Sequence, residues 1–306
     1  MSTRTNGLAK EMTRSVSVII PAYNADRFLK EAVHSVFQQS VPPLEIIIVD
    51  DGSQDRTLET ARDLASQDAR IAVLTGPNGG AAAARNAGLS KASGDYLLFL
   101  DADDRLHENA IRDHLRAFAE RADAAMVFGS NDVIDENGNL LHANPTPIEE
   151  VKLQDIALRV TPCPSQCLYL KSAIQKVNGY NEAFRYSQDI DLNLRLIHVG
   201  RIFSHGIKVM DYRRHPHQST SNGARICKGH LKVLESNLGI SAPFPDLDLL
   251  SRARTKWFSR YGYRQHLVAL GALRRGRIFE AVVAARLAFL RLRSRLRGEN
   301  WQPRRS

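Results

Sequence analysis

Three carboxylates stand close together in the segment Phe99-Leu100-Asp101-Ala102-Asp103-Asp104, at the end of an apolar run that predicts a short buried strand over 96–100. Carboxylates crowded at a strand end repel one another unless a positive charge offsets them. Mg²⁺ takes oxygen ligands and often sits between one or two carboxylates and the phosphates of a substrate. The segment is therefore a candidate metal–diphosphate site, and a solvated acidic loop is the alternative.

A second acidic pair, Asp50-Asp51, also follows an apolar run and leads into Gly52-Ser53. A carboxylate in such a turn can accept hydrogen bonds from the ring N–H of a base or from the hydroxyls of a ribose. Asp51 or Ser53 could instead cap the helix that follows. The two roles are compatible, because one residue can cap the helix while its neighbour binds a ligand.

Glycines, alanines and one arginine are combined in the segment Asn78-Gly79-Gly80-Ala81-Ala82-Ala83-Ala84-Arg85-Asn86. Small side chains let the backbone approach a ligand closely, and a helix N-terminus beside Arg85 favours an anion. Close helix–sheet packing explains the alanines well but an arginine among them less well. The segment has no Gly-x-Gly-x-x-Gly fingerprint and no phosphate loop ending in Gly-Lys-Ser/Thr, which weakens a dinucleotide oxidoreductase or an ATPase.

A fourth candidate, Asp189, lies in Ser187-Gln188-Asp189-Ile190-Asp191, at the start of a helix predicted over 189–199. Its carboxylate could cap that helix, or it could act as a base that takes a proton from an acceptor hydroxyl. The position alone favours the cap.

Apolar runs alternate with helical patterns over the first hundred residues, which predicts an α/β protein whose parallel sheet is covered on both faces. Ligands of such sheets bind beyond the carboxyl ends of the strands, so Asp51, Asp101 and Asp103 are predicted to share one rim. The predicted strands are 16–20, 44–49, 71–74, 96–100, 125–130 and 207–212, and the predicted helices are 26–39, 55–66, 79–91, 108–120, 189–199 and segments after 226.

The net charge of +9 is unevenly distributed. Residues 251–306 carry 15 Lys and Arg against 2 Glu, whereas the rest of the chain carries 27 basic against 31 acidic residues. Such a segment suits an anionic lipid surface, a nucleic acid or a partner protein, and a solvated helical face is the alternative. Its apolar residues recur at helical spacing and predict a seam made of Ile278, Val282, Ala285, Phe289, Leu292 and Leu296.

Four motifs in register together resemble those of family 2 glycosyltransferases. They are Pro21-Ala22-Tyr23-Asn24, Val49-Asp50-Asp51-Gly52-Ser53, Asn78-Gly79-Gly80 to Arg85-Asn86, and Leu100-Asp101-Ala102-Asp103-Asp104. The resemblance covers about 16–221. It implies a GT-A fold, which is an α/β fold with a Rossmann-like, mostly parallel central sheet flanked by helices, and an inverting enzyme that uses a nucleotide-sugar donor.

The resemblance also implies roles for individual residues. Asp189 matches the catalytic base, although Gln188 replaces the usual preceding Glu. Asp103 and Asp101 match the Asp-x-Asp motif that binds a divalent metal, Mg²⁺ or Mn²⁺. In the segment 212–216, Arg213 or His215 could meet the diphosphate. The positions matching donor-binding residues are Pro21, Ala22, Tyr23, Asn24, Asp51, Gly79, Arg85, Asp101, Ala102 and Asp103.

Three parts are expected along the chain. They are a disordered N-terminal tail over 1–14, a GT-A domain over 15–225, and a basic helical C-terminal extension over 226–306. Within the domain, 15–106 is expected to bind the nucleotide sugar and 107–225 the acceptor. The sequence has no apolar run long enough to span a bilayer and no signal peptide, so we expect a cytoplasmic protein that contacts an anionic membrane surface through 251–306 and binds no nucleic acid.

The expected reaction is transfer of one sugar, from a UDP-sugar by family default, to a sugar or lipid-linked acceptor in the synthesis of surface polysaccharide or lipid-linked oligosaccharide. The Gln-x-x-Arg-Trp signature of processive members is absent from the sequence, which favours single-sugar transfer. Two alternatives remain at this point. One is a nucleotidyltransferase, and the other is a catalytically degenerate scaffold that only binds a nucleotide sugar.

Overall fold

A computed structural model describes residues 14–159, 162–218 and 223–257, together with Arg260, Val282, Ala285 and Phe289. The expected N-terminal tail, apart from Arg14, and most of the basic segment 251–306 lie outside this described part. The contacts divide the chain into two units. The first comprises 1–153 and 161–216, and the second comprises 154–160 and 217–306.

The strands are numbered β1 to β10 and the helices α1 to α9 along the described chain. The strands are β1 Val16–Ala22, β2 Glu45–Asp50, β3 Ile71–Thr75, β4 Tyr96–Phe99, β5 Arg105–Leu106, β6 Ala124–Ile134, β7 Leu140–Asn144, β8 Glu149–Val151, β9 Cys167–Leu170 and β10 Arg201–Arg213. The helices are α1 Asp26–Phe37, α2 Thr57–Gln67, α3 Ala81–Lys91, α4 Ala110–Ala119, α5 Leu153–Leu158, α6 Lys171–Lys176, α7 Gln188–Leu196, α8 Gly223–Leu238 and α9 over 247–257.

The first four strands form a parallel sheet in the order β3-β2-β1-β4. The apolar runs of β1, β2 and β4 are buried, whereas the edge strand β3 buries only Ile71, and Val18 of β1 pairs with Ile46 of β2. Helix α1 covers this part of the sheet with Leu29, Val33 and Val36, which are fully buried. Strands that are buried on both faces read as continuous apolar runs, which is why the sequence predicted this part of the fold.

The other half of the sheet is mixed rather than parallel. From β4 the order continues β9-β6-β10-β5, and β9 lies antiparallel between β4 and β6. Strand β10 runs parallel to β6, whereas β5 is antiparallel to β10. The sequence did not predict β5 or β9, because runs of two and four residues are too short to show a period.

The second unit contains α8 and α9. Helix α8 buries Val233, Leu234 and Leu238, and the indole N–H of Trp257 donates a hydrogen bond of 2.7 Å to the carbonyl of Ala157. In the residues that the structure describes, no helix combines the length and the apolar character that crossing a membrane requires.

Candidate active site

The candidate residues lie at the carboxyl edge of the parallel strands. Asp51 directly follows β2, and Asp101 and Asp103 follow the end of β4. Since β1 lies between β2 and β4, the residues that end these two strands are two strand spacings apart, about 10 Å. The rim therefore has two acidic positions separated by the loop that leaves β1.

Asp51 fixes the glycine loop before α3. Its side chain is buried, with Oδ1 accepting a hydrogen bond of 2.7 Å from the amide of Gly79 and Oδ2 one of 2.9 Å from the amide of Gly80. Gly80 has φ of 90°, which a side chain would strain. Asp51 thus holds the loop just before α3 and does not cap the helix that follows it in sequence, where Asp55 accepts from the amide of Thr57.

The segment 21–24, at the end of β1, is hydrogen-bonded to the loop that follows β2. The amide of Asn24 donates to Ser53 Oγ at 3.0 Å, and Asn24 Oδ1 accepts from the amide of Gln54 at 2.8 Å. Asn24 adopts φ of 50°, a left-handed conformation that Asn tolerates. These bonds leave the Tyr23 side chain 48% exposed at the rim, where it is free to contact a ligand.

Arg85 of α3 connects the acidic loop after β4 with the start of α7. Its Nη2 donates to Asp101 Oδ1 at 2.6 Å, and its Nη1 donates to Gln188 Oε1 at 3.1 Å. The side chain of Arg85 is 8% exposed, and its guanidinium lies 5.2 Å from the ring centroid of Tyr180. A buried charge needs a partner, and Asp101 supplies it.

The third carboxylate of the acidic segment is turned into the protein. Asp104 is 2% exposed, and its oxygens accept hydrogen bonds from Ser165 Oγ at 2.7 Å and from the amide of Arg213 at 3.0 Å. Burial raises the pKa of Asp104 well above its usual range, and the charges of Asp103 and Asp101 raise it further. Asp104 therefore anchors the loop, and Asp101 and Asp103 remain partly exposed.

Sequence reasoning did not identify the anchors at the end of β10. Arg213 is almost fully buried, with Nε donating to the carbonyl of Asp103 at 2.9 Å and Nη2 donating to Glu31 at 2.6 Å. Two residues later, His215 Nε2 lies 2.9 Å from Asp103 Oδ2. The basic segment 212–216 gave the only sequence signal, but its partners come from helix α1 and from the loop after β4, both far away in the chain.

Asp189 is the second residue of α7, which begins one residue earlier than predicted, so the residue in the capping position is Ser187. The side chain of Asp189 is partly exposed. Burial among its neighbours raises the pKa of Asp189, while the amide of Ile190 and the charge of Arg85 oppose that rise. A carboxylate whose pKa is raised holds a proton more strongly, which suits a general base.

The two carboxylates predicted to bind a metal, Asp103 and Asp101, differ in their surroundings. Asp103 presents a partly exposed carboxylate beside the His215 imidazole, whereas one oxygen of Asp101 is already held by Arg85. Across the described residues, no group of three or more His, Cys, Asp or Glu is placed to hold a metal. Mg²⁺ commonly takes only one or two carboxylates and obtains its other ligands from phosphates and water, so the residues fit a metal shared with a diphosphate.

Solved structures of Staphylococcus aureus TarS have a similar fold. The TarS 1–349 complex with UDP-GlcNAc is 17% identical and gives a TM-score of 0.63, covering 94% of this chain and 93% of that one. The complex with UDP covers the same shares at 17% identity and a TM-score of 0.60. The likeness confirms the predicted GT-A fold.

Two curated relatives are much longer than this chain. A Pasteurella multocida hyaluronan synthase is 31% identical over 226 residues, which are 73% of this chain but 23% of that protein. An Escherichia coli chondroitin synthase is 30% identical over 228 residues, 73% of this chain and 32% of that protein. The chain thus spans between a fifth and a third of the length of these two relatives.

The family model described as "Glycosyl transferase family 2" matches residues 17–178, which include the four motifs of the sequence and the site residues Asp51, Arg85, Asp101 and Asp103. The resemblance seen in the sequence is therefore confirmed, and the chain belongs to glycosyltransferase family 2.

Proposed function

We propose that this chain is an inverting glycosyltransferase that moves one sugar from a nucleotide-sugar donor to an acceptor hydroxyl. The observation that carries the proposal is the Arg85 bridge. One guanidinium binds the Asp101 carboxylate at 2.6 Å and the Gln188 side chain at 3.1 Å, so that the acidic loop and the helix start bearing Asp189 belong to one site.

The parts of this site match the parts of a nucleotide sugar. Asp51, Tyr23 and the glycine loop lie at the end where a base and ribose would bind, and Asp101 and Asp103 lie at the end where a diphosphate would bind. Carboxylate oxygens accept from ring N–H groups and ribose hydroxyls. The amides at the start of α3 favour an anion, and Arg85 holds the acidic loop beside the start of α7.

In the proposed reaction, Asp189 transfers a proton and the acidic loop helps to stabilise the charge that develops on the leaving group. Asp189 accepts the proton of the acceptor hydroxyl, whose oxygen then forms a bond to the anomeric carbon from the face opposite the diphosphate. The anomeric carbon–oxygen bond breaks, and the electron pair leaves with the nucleoside diphosphate. A divalent metal held by Asp103, with His215 and Asp101 beside it, would supply Lewis-acid stabilisation of that leaving group.

A uridine nucleotide is the proposed carrier of the sugar. TarS, whose fold is similar, has been solved in complex with UDP and with UDP-GlcNAc. We expect UDP with Mn²⁺ to raise the melting temperature by about 5 °C at a hundredfold excess over its Kd, because a ligand that binds only the native state stabilises it. Differential scanning fluorimetry with UDP, GDP, dTDP and ADP, with and without Mn²⁺, measures this.

The control for this screen is ADP, which has the same diphosphate on a different base. Equal shifts for UDP and ADP would contradict base recognition at Asp51. A mass spectrum of the products separates two reactions. Glycosyl transfer from a nucleotide sugar releases a nucleoside diphosphate, whereas nucleotidyl transfer from a nucleoside triphosphate to a sugar phosphate releases pyrophosphate. Neither product from either substrate mixture, despite a clear shift, would favour a scaffold that only binds the nucleotide sugar.

The proposed acceptor is a sugar hydroxyl on a growing surface polysaccharide or a lipid-linked oligosaccharide. Relatives named hyaluronan synthase and chondroitin synthase support a polysaccharide, because each covers 73% of this chain. The choice of sugar and of acceptor is left to an activity screen with the nucleotide sugar that the melting experiment selects.

We also propose that the protein works at an anionic membrane surface, on the cytoplasmic face, through the basic segment 251–306. Of the predicted apolar seam, Val282, Ala285 and Phe289 are described, and all three are helical and exposed. Spacings of three and four place them on one helix face. Apolar residues on one face of an arginine-rich helix are typical of helices that lie on anionic lipid.

Flotation with liposomes tests this contact. We expect the protein to bind vesicles containing an anionic lipid and to be released by salt, because each arginine near such a surface contributes about 1 kcal/mol that salt screens. A chain ending at residue 257, which keeps α9 and the hydrogen bond from Trp257 to Ala157, is the matched variant and should bind anionic vesicles much more weakly. Equal recovery on neutral and anionic vesicles would contradict the proposal.

A further inference from the structure

Gln188 stands beside the proposed base and contacts the buried arginine of the site. It is the first residue of α7, its side chain is buried, and its Oε1 accepts a hydrogen bond of 3.1 Å from Arg85 Nη1. The other arm of the same guanidinium donates to Asp101 Oδ1 at 2.6 Å. Arg85 is thus held on one side by a neutral amide oxygen and on the other by a carboxylate.

Arg85 depends on these two arms for its position. In the described part of the chain, its Nε is buried without a hydrogen-bond partner, and Asp101 is the one carboxylate that pairs with it. The ring of Tyr180 packs against the guanidinium at 5.2 Å but accepts no directional bond from it. Loss of the Gln188 arm would leave a single directional contact to orient the charge.

Arg85 is a cation whose charge lowers the pKa of Asp189. Ionisable groups from several other elements also interact electrostatically with Asp189. They include Asp101, Cys163, Cys167, Tyr169 and Tyr180. Burial raises the pKa of each thiol and phenol in this set, so these groups stay neutral.

A glutamate at position 188 would fit the same space but would change the charge. It could accept the same bond from Arg85, which would then serve two carboxylates while Asp189 gained a negative neighbour. The Gln188 amide accepts the hydrogen bond from Arg85 but carries no negative charge.

We propose that Gln188 is a positioning residue, which together with Asp101 orients the Arg85 guanidinium beside the start of α7 without neutralising it, so that Arg85 favours the ionised form of the base. The inference rests on the proposed function in one respect, the assignment of Asp189 as the base. It deepens that function by assigning a role to the residue at which the chain departs from the family pattern.

The test is a direct titration of Asp189 in the free protein, which needs no substrate. Aspartate labelled with ¹³C at the side-chain carboxyl gives a signal for each Asp, and the Asp189 signal is identified by its loss in Asp189→Asn. In Gln188→Glu we expect the pKa of Asp189 to be about one pH unit higher than in the wild-type protein, because a negative neighbour disfavours a second ionised carboxylate.

A neutral variant separates position from charge. Gln188→Met keeps the length of the side chain but removes the acceptor oxygen, so we expect a smaller change in the pKa of Asp189 than Gln188→Glu gives. We also expect kcat to fall about tenfold, with KM for the nucleotide sugar within twofold, since a displaced Arg85 acts on the reacting groups more than on ground-state binding.

The outcomes distinguish this inference from the function it rests on. An unshifted Asp189 titration in folded Gln188→Glu, alongside inactive Asp189→Asn, would overturn only the role of Gln188. Full transfer by folded Asp189→Asn would overturn both. Should Gln188→Glu melt below the assay temperature, a wild-type kcat in Gln188→Met would overturn the inference, and the tenfold loss with unchanged KM would support it.

Discussion

Replacing Asp189 by Asn is expected to lower kcat by about 10² to 10⁴, the range that general acid–base groups contribute, while leaving nucleotide-sugar binding intact. The amide has nearly the same shape, so α7 and the contact of Gln188 with Arg85 should persist. It cannot accept a proton from the acceptor hydroxyl at neutral pH. Steady-state transfer assays and the melting shift with UDP, measured on the same preparation, test both halves of this expectation.

The control for this variant is Asp248→Asn, which makes the same chemical change at a highly exposed carboxylate of the second unit. It should keep wild-type kcat. Substantial transfer by a well-folded Asp189→Asn protein would show that another group takes the proton.

The assignment of Asp189 as the base also predicts how kcat/KM depends on pH. Burial raises the pKa of Asp189 above the usual range of an aspartate, and only the ionised form can accept a proton. The value of kcat/KM should therefore be highest above that pKa and fall as the pH is lowered through it, starting at a higher pH than for an exposed aspartate. A profile that is flat through the acid range while the protein stays folded would contradict Asp189 as the base.

Replacing Asp103 by Asn is expected to lower kcat/KM by about 10² to 10³, the cost of removing one strong stabiliser of developing charge. The carboxylate is partly exposed and lies 2.9 Å from the His215 imidazole, so it can bind a metal that the diphosphate shares. An amide oxygen keeps the size of the side chain but binds a divalent cation more weakly. The fold should survive, because Asp104 rather than Asp103 anchors the loop.

Isothermal titration calorimetry with UDP, in the presence and absence of Mn²⁺, measures how much Asp103 contributes to metal-dependent binding. The wild-type protein should gain affinity when Mn²⁺ is added, and Asp103→Asn should lose most of that gain while retaining metal-free binding. Asp248→Asn again serves as the unaffected variant. An undiminished Mn²⁺ effect in Asp103→Asn would place the metal on other ligands.

The sequence was most informative where local patterns decide structure. The continuous apolar runs of β1, β2 and β4 predicted a buried parallel sheet, and each run ends in polar residues that the fold then brings to one edge. Since parallel strands place their carboxyl ends together, Asp51 and Asp101 could be assigned to one rim before any coordinates existed.

Long-range partners were not predictable in the same way. The sequence predicted a donor-binding role for Asp51 and left capping of the next helix by Asp51 or Ser53 open. In the structure its carboxylate binds the amides of Gly79 and Gly80, which become neighbours only when α3 packs on the sheet. The bridge from Arg85 to Gln188 spans 103 residues. No spacing in the sequence encodes such a pair, because it depends on where two separate helices begin around the same rim.

The antiparallel strand β9 makes the two halves of the sheet interdependent. Strand β4, which ends at the acidic loop, pairs with β1 on one side and with β9 on the other, and β9 lies about seventy residues later in the chain. A nascent polypeptide would leave one edge of β4 open until β9 emerged from the ribosome. The half of the sheet formed by β1 to β4 should therefore mature late in synthesis, and a fragment that stops before β9 would carry an unprotected edge prone to self-association.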